Sequence, residues 1–272
     1  MPVNAVTLDL EAYLRRIDYA GAREPTYAVL EALHLAHATH IPFENLDVLL
    51  KRPIRLDLAS LQAKLVRGGR GGYCFEQNLL LAAALGRLGF EVKLIAAKVR
   101  HRGDRDLPRT HMFLMVNADG ADWVADVGFG GEGLLMPVPF GGGREARHYA
   151  WTYRVIEEKT GQWLLQSKRQ DGWGNLYCFT LDPQTPADCD MANHYTSTHP
   201  DSPFVSTLTA QLPTPQARYV LRNRELLVDR GGGQVERREL RDDDEVLEVL
   251  AGTFGLRFAA GTRFGYRGTM SQ

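Results

Sequence analysis

The hydrophobic pattern of this chain changes period once, close to residue 90, and that change constrains the fold more than any other feature. Before it, apolar residues recur at helical spacing in "LDLEAYLRRI", "YAVLEALHLAHATH", "SLQAKLV" and "FEQNLLLAAALGRLGF", interrupted only by "FENLDVLLKRPIRLD". From Glu91 onward, short runs rich in Val, Ile, Trp, Phe and Tyr alternate with turn chemistry at "NADG", "EEKTG" and "DPQTP". Helices first and antiparallel strands second is the order of an α+β chain. After about residue 190 the text mixes again, with a helical "CDMANHYTST", a hairpin around "DRGGG" and a last helix opened by Asp242, Asp243 and Asp244. The expected organisation is a helical bundle over 1–90, a mostly antiparallel β-barrel or sheet over 91–190, and a mixed α/β lid over 191–272.

Several function classes drop out on composition. A formal charge of -1 provides no basic field for nucleic acid. No apolar run approaches the roughly 20 residues of a spanning helix, so no membrane partner is expected. The start, "MPVNAVTLDLEAYLRR", lacks the basic and apolar regions of a secretory signal, which predicts a cytoplasmic protein. Cys74, Cys178 and Cys189 are odd in number and widely spaced, as free thiols are. Cys178, Cys189, His194 and His199 cluster in sequence, but they lack the short cysteine spacing of a zinc site, and no metal is expected.

The stretch "RGGRGGYCFEQN", residues 67 to 78, carries the chemistry. Its glycines permit tight backbone approaches and end where a helix pattern begins, which sets Cys74 at a helix amino terminus. Unpaired N–H groups and the helix dipole there stabilise a thiolate, with Arg67 and Arg70 as candidate contributors.

A thiol nucleophile needs a base, and the base needs an acceptor to orient it. "RTHMFLMVNADGADWVADVGFGG", residues 109 to 131, reads as a hairpin turning at Asp119-Gly120. A two- or four-residue loop there pairs residues whose numbers sum to 239, making His111 and Asp126 diagonal neighbours on one face. A three-residue loop would put them on opposite faces. The remaining histidines receive no role.

With these residues in place, the chain resembles the arylamine N-acetyltransferases. "YLRRIDY", "PFENLDV", "RGGYCFEQN", "THMFLMV", "DVGFGG" and "TSTHPDSPF" occur in that family's order and approximate spacing. The resemblance implies a three-part fold with a cysteine-protease-like catalytic core. It further implies Cys74 as acyl-accepting nucleophile, His111 as base and Asp126 as the residue that orients the histidine. The reaction implied is ping-pong transfer of acetyl from acetyl-coenzyme A to an aromatic amine or hydrazine, without a metal. "GFGGEG", 128 to 133, matches a dinucleotide fingerprint by spacing, yet no helix pattern follows it and no acidic residue stands about twenty positions on. The resemblance instead places coenzyme A near this loop, with Gly130 and Gly131 as cofactor contacts. It gives Phe43, Val99, Phe129 and Phe204 as the acceptor pocket, and Arg16, Glu44 and Asn45 as structural supports of the cysteine loop. A cysteine hydrolase, a macrocycle-closing amide synthase with the same triad and a non-catalytic binding protein are the competing readings.

Overall fold

The computed structural model describes residues 7–100 and 107–266. The first six residues of the segment read above as lacking a signal lie outside the described residues.

Five helices occupy the first ninety residues: α1 (Leu10–Arg16), α2 (Tyr27–His40), α3 (Leu46–Leu49), α4 (Leu58–Leu61, continued as a π-helical turn over Gln62–Arg67) and α5 (Cys74–Arg87). Each longer one follows its sequence logic. Helix α2 starts where the Thr26 hydroxyl accepts from the Val29 amide, and it buries Val29, Leu30, Leu33, His34, His37 and Ala38 along one side. Helix α5 is covered almost all round, with Leu80, Leu81, Ala84 and Leu85 in the main core.

The interruption between α2 and α4 is more than a loop. Phe43–Glu44 forms a short strand, β1, and α3 follows it directly. Two residues are too few to show any periodicity, so the pattern hid this strand.

Beyond residue 90, β2 (Glu91–Val99), β3 (His111–Ala118), β4 (Ala121–Ala125), β5 (Val138–Pro139), β6 (Ala146–His148), β7 (Trp151–Lys159), β8 (Gln162–Arg169) and β9 (Gly172–Pro183) form one antiparallel sheet. Its spatial order is β5-β4-β3-β2-β9-β8-β7-β6, and edge strand β5 curls back against β7, so the sheet is close to a barrel. Helix α6 (Pro186–Thr198) follows, and then β10 (Thr209–Pro213), β11 (Arg218–Arg222), β12 (Glu225–Asp229) and β13 (Val235–Glu239). The last helix, α7 (Asp243–Phe254), is capped by Asp242, whose carboxylate accepts from the Glu245 amide.

The second sheet runs β1-β10-β11-β12-β13, so its first strand comes from the helical region. Phe43 pairs with Gln211 and Glu44 with Ala210. A separate apolar core beneath this sheet joins Leu46 and Leu49 of α3 to Leu221, Val246, Leu250 and Phe254. The fold is α+β, and the helix that carries Cys74 packs against β3, which His111 opens, and against β2.

Candidate active site

Cys74 is the first residue of α5 and is 4% exposed. The glycine run before it threads a narrow passage. A Cβ at Gly71 would sit 1.9 Å from the Pro42 carbonyl, so no side chain fits there. Gly72 accepts from the Glu44 amide at 3.0 Å and donates to the Pro42 carbonyl at 3.3 Å, which staples the loop to β1. The Gln77 amide donates to the carbonyls of Pro42 (2.8 Å), Ile41 (3.2 Å) and Gly72 (3.3 Å), tying helix to loop.

Of the two arginines before the thiol, Arg70 is held by carboxylates. Arg70 pairs with Glu44 at 2.6 Å and Asp47 at 3.2 Å, two carboxylates that claim its guanidinium, and Arg67 is exposed. Lys64 bridges Glu76 at 2.7 Å and Asp47 at 2.9 Å. Arg16 caps the π-helical turn through the Leu65 carbonyl (2.9 Å) and α2 through the His40 carbonyl (2.6 Å). Asn45 holds the distant chain at the Phe204 and Thr207 carbonyls, 2.8 and 2.7 Å away.

The hairpin has the register that a two-residue loop demands. Ala118 faces Ala121 and Leu114 faces Ala125, and Asp119 and Gly120 both have positive φ, as a type I′ turn requires. His111 opens β3 and Asp126 follows β4 by one residue, and His111 Nε2 meets Asp126 Oδ2 at 2.7 Å. The other carboxylate oxygen accepts from Asn78 Nδ2 at 3.0 Å and from the Gly128 amide at 2.9 Å. Asn78 also donates to the Met112 carbonyl (2.7 Å) and accepts from the Val127 amide (3.1 Å).

Cys74 completes the group. Its thiol donates to the Thr110 carbonyl at 3.7 Å, and the sulfur is close enough to help raise the pKa of the His111 imidazole. Because Nε2 is engaged with Asp126, Nδ1 is the nitrogen left for the sulfur. Burial opposes a charge on His111, but the Asp126 carboxylate and Cys74 outweigh it and raise the imidazole pKa to about 10. Asp126 is pushed the other way: burial raises it, yet His111, Asn78 and the Gly128 amide hold it below the usual carboxylate range. The pair is therefore a charged imidazolium–carboxylate contact at neutral pH, a state suited to holding a thiolate.

Aromatic rings surround the imidazole. Phe129 meets it edge-on at 5.1 Å and Tyr177 lies 4.9 Å away. Phe43, Phe129 and Gly130 line one narrow cavity with Asp126, and Phe204 packs 6.0 Å from the Phe43 ring. Gly131 stands beside the Gln211 side chain, not in that cavity. Val99, at the end of β2 opposite Tyr177, lines neither this cavity nor the larger one. The larger cavity, about 290 Å³, lies between α6, Phe75, Ala96 and Met112 and reaches Thr110 and His111.

Three neighbours went unassigned in the sequence. Asn78 was detectable, because it follows Cys74 by four residues and so shares its helix face. Tyr177 gave no signal beyond strand patterning. His34 gave none, since its Nε2 accepts from the backbone amide of Asp126 (3.0 Å), 92 positions away. Among the described residues no group of three or more His, Cys, Asp or Glu is placed to hold a metal, so Cys178, Cys189, His194 and His199 do not converge. No helix among them is long and apolar enough to cross a membrane.

A buried thiol at a helix head, facing a histidine–carboxylate pair beside an antiparallel sheet, is the arrangement of a cysteine-protease-like core. Comparison with known proteins narrows the class. An N-acetyltransferase family model matches residues 26–263. The arylamine N-acetyltransferase of Mycobacterium tuberculosis is 40% identical over 260 residues, 93% of this chain and 91% of the relative. The arylamine N-acetyltransferase / N-hydroxyarylamine O-acetyltransferase of Salmonella typhimurium is 36% identical over 253 residues, 92% and 90% of the two chains. The solved Nocardia farcinica arylamine N-acetyltransferase superposes with a TM-score of 0.87 at 40% identity, covering 94% of this chain and 92% of that one. The Mycobacterium marinum arylamine N-acetyltransferase in complex with CoA gives 0.86 at 36% identity, covering 91% and 93%. The chain belongs to the arylamine N-acetyltransferase family and is an acyltransferase.

Proposed function

We propose that the protein moves an acetyl group from acetyl-coenzyme A to the nitrogen of an aromatic amine or hydrazine through a thioester on Cys74. The observation that carries this reading is the buried 2.7 Å contact between His111 and Asp126 beside the thiol at the head of α5.

The Cys74 thiolate attacks the thioester carbonyl carbon, a C–S bond forms, and the coenzyme A sulfur leaves, taking the His111 proton. Thioester exchange is close to neutral in energy, so the first step is easy to reverse. The amine nitrogen then attacks the acetyl carbon, the Cys74 C–S bond breaks, and His111 accepts the amine proton. Thiolate and imidazolium are thereby restored. Asp126 holds the ring with Nε2 toward itself and stabilises the charged form. Family membership and the coenzyme A complex of the M. marinum relative support the donor. Gly130 and Gly131 carry backbone free of side chains toward coenzyme A, and Phe43, Phe129 and Phe204 offer flat apolar walls to the acceptor.

Intact-protein mass spectrometry after brief exposure to acetyl-coenzyme A tests this. One acetyl adduct, absent in Cys74→Ala and discharged as N-acetylated amine forms, is the expected result. A folded wild type that takes up no acetyl refutes the acetyl-coenzyme A reading and points to a carrier-dependent amide synthase. An adduct lost equally fast without amine refutes the transferase and identifies a hydrolase.

A further inference from the structure

Asp126 is held at two places, and only one of them is its carboxylate. The carboxylate oxygens are fixed by His111, Asn78 and the Gly128 amide. The backbone amide donates at 3.0 Å to Nε2 of His34, a fully buried residue in the middle of α2. We propose that His34 is a positioning residue of the catalytic triad, a neutral ring whose Nε2 lone pair anchors the Asp126 backbone and so sets the carboxylate against His111. The inference rests on the reading of His111 and Asp126 as base and orienting carboxylate.

The chemistry follows from the donor. A backbone N–H can only donate, so Nε2 of His34 carries no hydrogen and the ring proton sits on Nδ1. Nδ1 has no hydrogen-bond partner among the described residues. The ring is kept neutral by its surroundings. Burial depresses its pKa to about 4 against the pull of Leu135 and Asp126. The titratable groups that face it are Asp126, His37 on its own helix and His148 of β6, and both histidines are themselves pushed down by burial, to about 3. Without His34, the Asp126 amide is a buried donor with nothing to bind, and the residue that follows β4 loses its backbone tie to α2. A shift of about 1 Å in a catalytic group lowers rates on the order of 100-fold.

Two measurements test the assignment. In wild-type protein labelled with nitrogen-15 histidine, His34 Nε2 should resonate as an unprotonated, hydrogen-bond-accepting nitrogen coupled to the Asp126 amide. A protonated Nε2 overturns the proposal with no variant needed. In the second, the rate of Cys74 alkylation by iodoacetamide is followed against pH in wild type, His34→Leu, His34→Met, His34→Gln and Asp126→Asn. The Leu variant, which has no acceptor, and the Met variant, whose thioether sulfur is only a weak one, should lower the upper apparent pKa of the profile and slow Cys74 acetylation roughly 10- to 100-fold. Gln, whose side-chain oxygen can take the place of Nε2, should restore both. A folded Leu or Met variant with the wild-type profile overturns the proposal. If Asp126→Asn also leaves the profile unchanged, the triad reading itself has failed; if only the His34 variants are silent, the triad stands and His34 is packing alone.

Discussion

A methyl group at position 128 should disable the site from behind. Gly128 follows Asp126 by two residues, and its backbone lies directly against the head of α5. A Cβ built on Gly128 would stand 2.6 Å from Cα of Cys74, 2.8 Å from Nδ2 of Asn78 and 3.0 Å from the Cys74 carbonyl oxygen. Ordinary contact begins near 3.4 Å, so helix and loop must part by about 1 Å in an interior with no slack. Overpacking of that kind costs about 1–3 kcal/mol. Asn78 Nδ2, which serves the Met112 carbonyl and the Asp126 carboxylate, is caught in the same movement. For a chain of this size the stability loss lowers the melting temperature by roughly 2–12 °C. The displacement of the nucleophile slows acetylation on the order of 100-fold. Scanning calorimetry and rapid-quench acetylation of Gly128→Ala read both effects. Gly86→Ala, at an exposed helical position of α5 with nothing within 4 Å of the new carbon, is the control and should stabilise by about 0.5–1 kcal/mol. Wild-type melting and wild-type rate in Gly128→Ala would refute the argument that this passage is filled.

Acid should unfold the protein earlier than its carboxylates require. Burial lowers the pKa of His34 to about 4 and of His37 and His148 to about 3, all below the 6.5 of a free histidine. The unfolded chain therefore binds protons first, so this stability is complete above pH 6.5 and is lost as pH falls toward 4. Each of the three contributes a loss of about 2 kcal/mol at pH 5, which urea titrations between pH 8 and 5 should register as a steep drop; a flat dependence would contradict it. Arg70→Ala strands the buried Glu44 carboxylate and should cost about 3–5 kcal/mol in urea, while Glu44→Gln with Arg70→Met should lose less. Asn78→Leu removes both the Asp126 and the Met112 contact; it should lower the acetylation rate at saturating acetyl-coenzyme A more than it raises KM, a split that steady-state kinetics resolves.

The site was legible where local rules determine geometry. Asp119-Gly120 is a favoured hairpin dipeptide, and the two-residue loop that it forms carries His111 and Asp126 to the same face, where a three-residue loop would have parted them. The helix pattern after residue 74 likewise put the thiol at a helix head. What stayed hidden depends on long-range partners. Arg70 looked like a neighbour of the thiol in sequence, but Glu44 and Asp47, more than twenty positions back, take its charge. Phe43 and Glu44 carry no pattern of their own and become a strand only because β10 offers them an edge. The amide-to-imidazole bond of His34 involves a backbone group, and backbone groups leave no mark in a sequence.

The placement of β1 also bears on how the enzyme is made. Phe43–Glu44 bonds the cysteine loop on one side, at Gly72, and β10 on the other. Cys74, His111 and Asp126 have all left the ribosome's catalytic centre soon after residue 126, but the strand that braces the loop from outside is synthesised only with Thr209–Pro213. At 5–20 residues per second the roughly 140 residues from Cys74 to the end of β10 take roughly 7 to 28 s to append. Throughout that interval the nascent chain carries Cys74 on an unbraced loop, and a truncation between Asp126 and β10 should release a polypeptide that holds Cys74, His111 and Asp126 yet takes up no acetyl.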